Sequence, residues 1–431
     1  MDYMESPLHP CSVETIAEPV QLADGSRIWP TMLGCYELQQ ESGTRHGRLD
    51  LYAIKVPDLR KNLSLQASMV LKFGNPISVM SREESQQSGI LDGKWIQAPN
   101  HSMRNDDLDD GSEHLASFYF ASALSTGEIA IHACSVKSTQ ESDRPVLPGD
   151  PEECAHPMHV ELRGKTDNFS TKLGEKDRAP LCLSLNWDRL SFDDESTRIV
   201  STYSDGCVSV HDVISTKQST MSSQSKLQLV EHVSWEAHTM FTSPAEVWLA
   251  GFVGGSHTHS VMSGGDDGSL KLWDIRSINR PMQVLKHFDA GVTVVAPHPR
   301  LEHLVACGSY DETICLYDIR YLSPSSPLGR RSGPLGGGIW RIKWHPYDDY
   351  RILVAAMHGG ARVVQIDTVV DGDDHETPVM VATKEFNEHK SMAYGADWLV
   401  CNHPTQEGYF EAAATCSFYD KAVYLWDTVA S

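Results

Sequence analysis

VMSGGDDGSLKLWDI (residues 261–275), VACGSYDETICLYDI (305–319) and AATCSFYDKAVYLWD (413–427) share one pattern. A short apolar run leads into a tight turn carrying Asp. An alternating run follows and ends in Trp-Asp or Tyr-Asp. The period-two alternation in KLWD, CLYD and YLWD reads as half-buried strands. Gly or Asp at the turn supplies the backbone freedom that a short hairpin needs. A fourth copy is VSTYSDGCVSVHDV (200–213). Weaker copies are ASALSTGEIAIHAC (121–134), VAAMHGGARVVQID (354–367) and TMLGCYELQQESGTRHGRLDLYAI (31–54). Seven units of about four strands each close into a ring, which buries both faces of every sheet and removes long open edges.

The copies resemble the WD40 repeat, and the expected fold is all-β, a seven-bladed β-propeller forming a single domain. The blades are expected at residues 11–75, 86–163, 180–236, 244–288, 290–336, 337–387 and 390–431. The last stops after its third strand. Either the first ten residues supply the closing strand or blade seven has three. Polar insertions near 97–113, 137–154, 162–177 and 215–225 read as mobile surface loops.

The rest of the composition narrows the function classes. The chain has 431 residues, 36 Lys+Arg against 58 Asp+Glu, and a net charge of −22. So acidic a chain is a poor nonspecific binder of nucleic acid, whose phosphates need Lys and Arg. It suits a basic protein partner. No apolar run reaches the ~18 residues of a membrane span, and no basic start precedes an apolar stretch as in a signal peptide. The ten cysteines form no CxxC pair, which argues against a zinc ribbon or a disulfide framework and suits a reducing cytosol. A cytoplasmic monomer is expected.

WD40 blades carry a structural hydrogen-bond set, a His before the first strand and an Asp in the turn between the second and third. The resemblance assigns the pairs His238–Asp267, His287–Asp311 and His389–Asp420 to the scaffold. Blade six departs from it. Gly336, Gly337 and Gly338 stand where the leading His belongs, and His358 stands where the turn Asp belongs. Local rule-breaking of this kind is expected at functional sites. The turns between second and third strands share a face with the connections between blades. That face gathers Tyr203, Asp266, Tyr310, His358, Phe418 and Tyr419, with Trp340, Arg341, Tyr394, Asp397, Ser309 and Ser417 beside them. A plainer reading stays open: Trp340, Trp344 and Trp398 fill the core, and Arg341 pairs with a neighbouring Asp.

SGGDDGSLKLWD, GSYDETICLYDIR, GGGIWRIKWHPY, AAMHGG, YGADW and ATCSFYDKAVYLWD, in this order, resemble the WD-repeat diphthine methyl ester hydrolases of diphthamide biosynthesis, also called diphthine methyltransferases. Weaker matches at GILDGKW, LSLNWD and GRLDLYAI extend the likeness over most of the chain. The resemblance implies a carboxylic ester hydrolase without a cofactor. It would demethylate diphthine methyl ester on translation elongation factor 2, releasing methanol. There is no GxSxG elbow, so an α/β-hydrolase mechanism is not expected. His257-Thr258-His259 and His156-Pro157-Met158-His159 lack a third ligand, and no metal site is expected.

Two mechanistic variants remain. His358 acts as general base on water, or it deprotonates Ser417 or Ser309 to give an acyl-enzyme. Water is preferred, since nothing in the sequence brings either Ser to His358. Glycines 336–338 or 359–360 would supply oxyanion donors. Trp340, Tyr310, Phe418, Tyr419 and Tyr394 would hold the substrate's trimethylammonium by cation–π attraction, with Asp266 and Asp397 adding negative charge and Arg341 holding the carbonyl or carboxylate. The competing reading is a non-catalytic WD40 adaptor in the same pathway, or a substrate receptor of a ubiquitin ligase.

Overall fold

The computed structural model describes residues 1–22, 26–56, 72–73, 77–78, 88–97, 114–137, 158–166, 179–188, 197–216, 226–255, 258–322, 332–370, 376–401 and 410–428. Seven antiparallel sheets stand around a central channel. Their innermost strands are His9–Thr15, Ile90–Gln97, Cys182–Trp187, Val247–Phe252, Val292–Pro297, Arg341–Trp344 and Ala393–Cys401. Each sheet then steps outward through antiparallel hairpins. Blade five has three strands among the described residues, ending with Ile314–Asp318.

The ring closes through the N-terminus. Asp2–Glu5 forms the outer strand of blade seven, with Asp2 opposite Leu425 and Glu5 opposite Ala422. That settles which of the two completions of blade seven holds. An N-terminal strand on a C-terminal sheet ties the two ends of the chain into one blade, leaving no seam to open.

The insertions fall mostly outside the described residues. One expectation needs correcting. Leu162 to Lys165 belongs to a regular strand, Met158–Lys165, paired with Ile129–Lys137. Its polar sequence reflects a sheet edge with one wet face; Glu161, Leu162, Arg163 and Gly164 are only partly buried or exposed.

Adjacent blades are fastened by indoles. Trp95, Trp187, Trp344 and Trp398 occupy equivalent places on four first strands. Each donates Nε1–H to a carbonyl of the preceding blade: Glu14 at 3.0 Å, Lys94 at 3.0 Å, Ala296 at 2.9 Å and Lys343 at 2.9 Å. An indole suits this place because its body fills the cleft between sheets while its N–H reaches a backbone acceptor. Trp344 and Trp398 are therefore scaffold residues.

The His–Asp scaffold takes three forms. In blade four His238 Nδ1 meets Asp267 Oδ1 at 2.8 Å, and Nε2 meets Ser263 Oγ at 2.8 Å, to which Trp273 also donates. Burial lowers the His238 pKa, while Asp267 is held well below the usual carboxylate range by His238, Ser269 and Lys271 against the cost of burial. In blade five His287 Nδ1 bonds the Tyr317 hydroxyl at 3.1 Å. Asp311 accepts from the Asp289 amide and Thr313. In blade seven His389 meets Asp420 through a bridging hydroxyl, that of Ser417. Removing one partner of a buried pair strands the other. Asp267→Ala is expected to cost ~1–3 kcal/mol of stability, read as a lower midpoint in denaturant unfolding.

Candidate active site at the channel mouth

In six blades the first strand carries a register irregularity near its start. The residue skipped is Cys11, Leu91, Leu183, Trp248, Thr293 or Tyr394. A bulge re-aims the extra side chain out of the ladder. All six of these residues line one cavity at the mouth of the channel, enclosing about 210 Å3. Blade six pairs from its first residue, Arg341 opposite Ala355, with no irregularity. It contributes Trp340 and Arg341 instead.

The cavity has an aromatic wall. Trp248 stands 5.3 Å from Trp340 and 6.1 Å from Tyr310, ring centre to ring centre. Trp340 lies tilted against Tyr394 at 4.9 Å, and Tyr394 lies 5.5 Å from Phe418. Phe418 in turn touches Tyr36 at 5.0 Å, Tyr419 at 5.1 Å and His9 at 4.8 Å. The structure thus brings together the five aromatic residues expected from the sequence. It adds Trp248, Tyr36 and His9, which the sequence reading missed. Their signal is position near a strand end: Trp248, like Tyr394, is the second residue of a first strand, and Tyr36 lies two residues before the end of the second strand of blade one. Tyr203 does not join them; it is fully buried, within reach of Ser201.

Charge is unevenly spread around the mouth. On blade four, Glu246 lines the cavity and Asp266 accepts the Trp248 indole N–H at 2.6 Å. Burial, then the nearby Asp266, raises the Glu246 pKa, with Arg45 opposing. Arg45 lines the opposite wall, 5.8 Å from the Tyr36 ring centre. Its Nε is buried with no hydrogen-bond partner among the described residues.

Arg341 is committed elsewhere. It reaches down the channel to Asp92 at 3.1 Å. Asp92 also takes Lys94 at 2.9 Å and the Ser184 hydroxyl at 2.8 Å. Lys94 bridges to Glu14 at 2.6 Å, Glu14 contacts Lys343, and Lys343 lies 3.3 Å from Asp397. Burial would raise the Asp92 pKa, but Arg341 and Lys94 outweigh it and hold it down to about 2. Asp397 is a correction. Its carboxylate accepts the Thr15 and Trp398 amides inside this network, so it offers no charge to the mouth.

The two serines are also corrections. Ser417 is fully buried; it donates to Asp420 at 2.5 Å and accepts from His389 Nδ1 at 2.7 Å. A catalytic dyad needs the reverse, with imidazole taking the hydroxyl proton. Burial also lowers the His389 pKa to about 4. Ser309 is buried and donates to the Ala290 carbonyl at 3.2 Å. Neither hydroxyl bonds His358.

His358 is exposed at the turn of blade six, and its ring makes no hydrogen bond or ring contact among the described residues. It flanks the cavity without lining it. Its neighbour Met357 stands at φ +39°, with its carbonyl accepting the Ala393 amide at 3.0 Å. The flanking glycines serve close packing. A Cβ on Gly337 would lie 2.2 Å from the Ala356 carbonyl oxygen. The amides of Gly359 and Gly360 are spent on Ala356 and Met357, so they are not oxyanion donors.

The family described as WD domain, G-beta repeat matches residues 242–274 and 279–318, blades four and five. The chain is 31% identical to the diphthine methyltransferase homolog of Dictyostelium discoideum over 57% of this chain and 62% of that one. It is 33% identical to human diphthine methyltransferase over 51% and 44%. The chain is a WD40-repeat propeller similar to the diphthine methyltransferases. With the diphthine methyltransferase of Schizosaccharomyces pombe the identity is 25%, over 99% of this propeller and 97% of the relative. The match thus spans 62% and 44% of the length of the first two relatives, under two thirds of each, and nearly all of the third.

Asp92 sits below its ordinary pKa, so its contribution to stability is complete above pH ~4 and lost as pH falls toward 2. Arg341→Gln removes its first counter-charge. The variant is expected to lose ~3 kcal/mol at neutral pH and to unfold in acid at a higher pH than the parent, measured by circular dichroism along a pH titration.

Proposed function

We propose that this chain hydrolyses the methyl ester of methylated diphthine on translation elongation factor 2, with the modified histidine side chain inserted into the channel mouth. The names of its relatives support a place in diphthine chemistry. One observation carries the choice of site: the polarity of the mouth. The substrate side chain bears a quaternary ammonium close to an ester. Aromatic faces attract such a cation by ~0.5–2 kcal/mol per ring. Trp248, Tyr310, Trp340 and Tyr394 line the cavity, with Glu246 on the same side. Arg45 faces them from the opposite wall, its guanidinium suited to the ester carbonyl, and then to the product carboxylate.

Water attacks the ester carbon, a base takes its proton, the tetrahedral intermediate expels methoxide, and that proton passes on to give methanol and diphthine. We assign the base to Glu246, because it lines the cavity and its raised pKa suits proton abstraction. His358 is the second reading, favoured by its exposed, unengaged ring; it serves if the ester is held above the rim rather than within it. Arg341 acts through Asp92 and the channel wall. The reading places the chain in the cytosol with its substrate, acting as a monomer without a cofactor. Nine described cysteines, none of them in a disulfide, are in keeping with that compartment.

The test is a mass measurement on methylated elongation factor 2. Loss of one methylene mass with water alone supports hydrolysis. A gain of the same mass on unmethylated diphthine, dependent on a methyl donor, overturns it in favour of transfer. Tight binding with no mass change favours the adaptor. Glu246→Gln is expected to lower kcat ~100-fold or more, with His358→Ala near parental; the opposite ranking moves the base to His358. With Glu246 as base, kcat/KM falls as pH drops through the Glu246 pKa, and Glu246→Gln removes that limb.

A further inference from the structure

Residues Thr239–Met240 and Ser243–Pro244 form a small hairpin between blades three and four, apart from every blade sheet. Phe241 stands at its tip, 98% exposed, with φ +57°. Met240 beside it is 40% exposed. A bulky residue in the left-handed region is uncommon and costs stability. Here that cost comes with no burial to offset it. The hairpin joins the end of Lys226–Glu236 to the start of Val247–Phe252, so it rises on the face where the cavity opens.

The surroundings are acidic. Asp205, Glu246, Asp266, Asp289 and Glu312 lie in the mouth-side turns and connections of blades three to five, and Glu236 ends the strand that leads into the hairpin. The segments 204–206, 237–246, 266–269, 286–291 and 310–313 contain one lysine, Lys286, and no arginine, and the nearby Lys271 is spent on Asp267 at 2.9 Å. An acidic face with an aromatic at its crest attracts a basic surface and anchors it by one buried ring.

We propose that the mouth face of blades three to five, crested by Phe241, docks a basic protein surface with an apolar recess, and that this surface carries the side chain entering the cavity. This rests on the proposed reading and adds the contact by which a protein, rather than a free small molecule, is selected. The occupant is a basic protein surface because the charge of these connections repels an acidic one. A second copy of this chain, at net charge −22, is disfavoured on the same ground.

The test uses the full chain and Phe241→Asn, since Asn accepts the left-handed backbone and keeps the hairpin. Three measurements are made: binding to the intact modified factor, hydrolysis of that factor, and hydrolysis of a short modified peptide. The expected result is about tenfold or more weaker binding and a KM raised as much for the factor, with kcat, peptide turnover and melting temperature unchanged. Glu236→Lys should weaken binding in the same direction, and added salt should shrink the difference. Unaltered binding in both variants overturns the proposal. So does a parent chain that dimerises in light scattering while Phe241→Asn does not, since the hairpin would then serve self-association. If the parent binds the factor but hydrolyses nothing, the proposed reaction falls, while weaker binding of Phe241→Asn still upholds the docking face.

Discussion

Six charged side chains meet inside the channel where water is scarce, and the rest of the molecule is arranged around satisfying them. Glu14, Asp92 and Asp397 face Lys94, Arg341 and Lys343, and they come from blades one, two, six and seven. A buried charge without its partner costs several kcal/mol, so the blades can approach only in the arrangement that pairs all six. The network therefore sets orientation more than it adds stability. The indole bonds of Trp95, Trp187, Trp344 and Trp398 then fix the spacing between neighbouring first strands. Closure by Asp2–Glu5 locks the ring.

The mouth is built by the same strands one step higher. Six bulges turn one residue each toward the axis, and the side chains so turned differ widely: a thiol, two leucines, a Trp, a Thr and a Tyr. The backbone device is repeated while the chemistry it presents is not. Trp248 and Tyr394 are presented by bulges, and Trp340 by the blade without one. The aromatic wall thus stands on strand ends held by the core, which is a more rigid platform than loops.

Much of this was legible in the sequence because it is local. The repeat reveals itself by turn residues and period-two alternation, and hairpin topology alone sends Tyr310, Phe418 and Tyr419 to the mouth. Three kinds of feature were not legible. Partners far apart in the chain, such as Arg341 and Asp92, leave no mark on either neighbourhood, so Arg341 reads as a rim residue although it is spent below. Bulges depend on the paired strand, so Trp248 looks like any strand residue. Arg45 and Glu246 face the same cavity from blades one and four and carry no motif. Ser417 misled for another reason: its strand-end position sends it to the rim, but burial and a hydrogen bond donated to Asp420, neither marked in the sequence, withdraw its hydroxyl.

Blade six shows how these levels connect. It lacks the leading His, and Gly336 and Gly337 pack backbone to backbone against the turn at 356–359, which a side chain on Gly337 would prevent. That close seat leaves Trp340 free to bond the Ala355 carbonyl through its amide, so the strand starts in register without a bulge. Starting in register, Arg341 points down to Asp92, and Trp340 takes the place at the mouth between Trp248 and Tyr394. The loss of a scaffold His is thus linked to the channel's charge balance and to the middle of the aromatic wall. His358 stands free as a consequence of the same loss. Its freedom alone is therefore weaker evidence for a chemical role than the position of Glu246 inside the cavity.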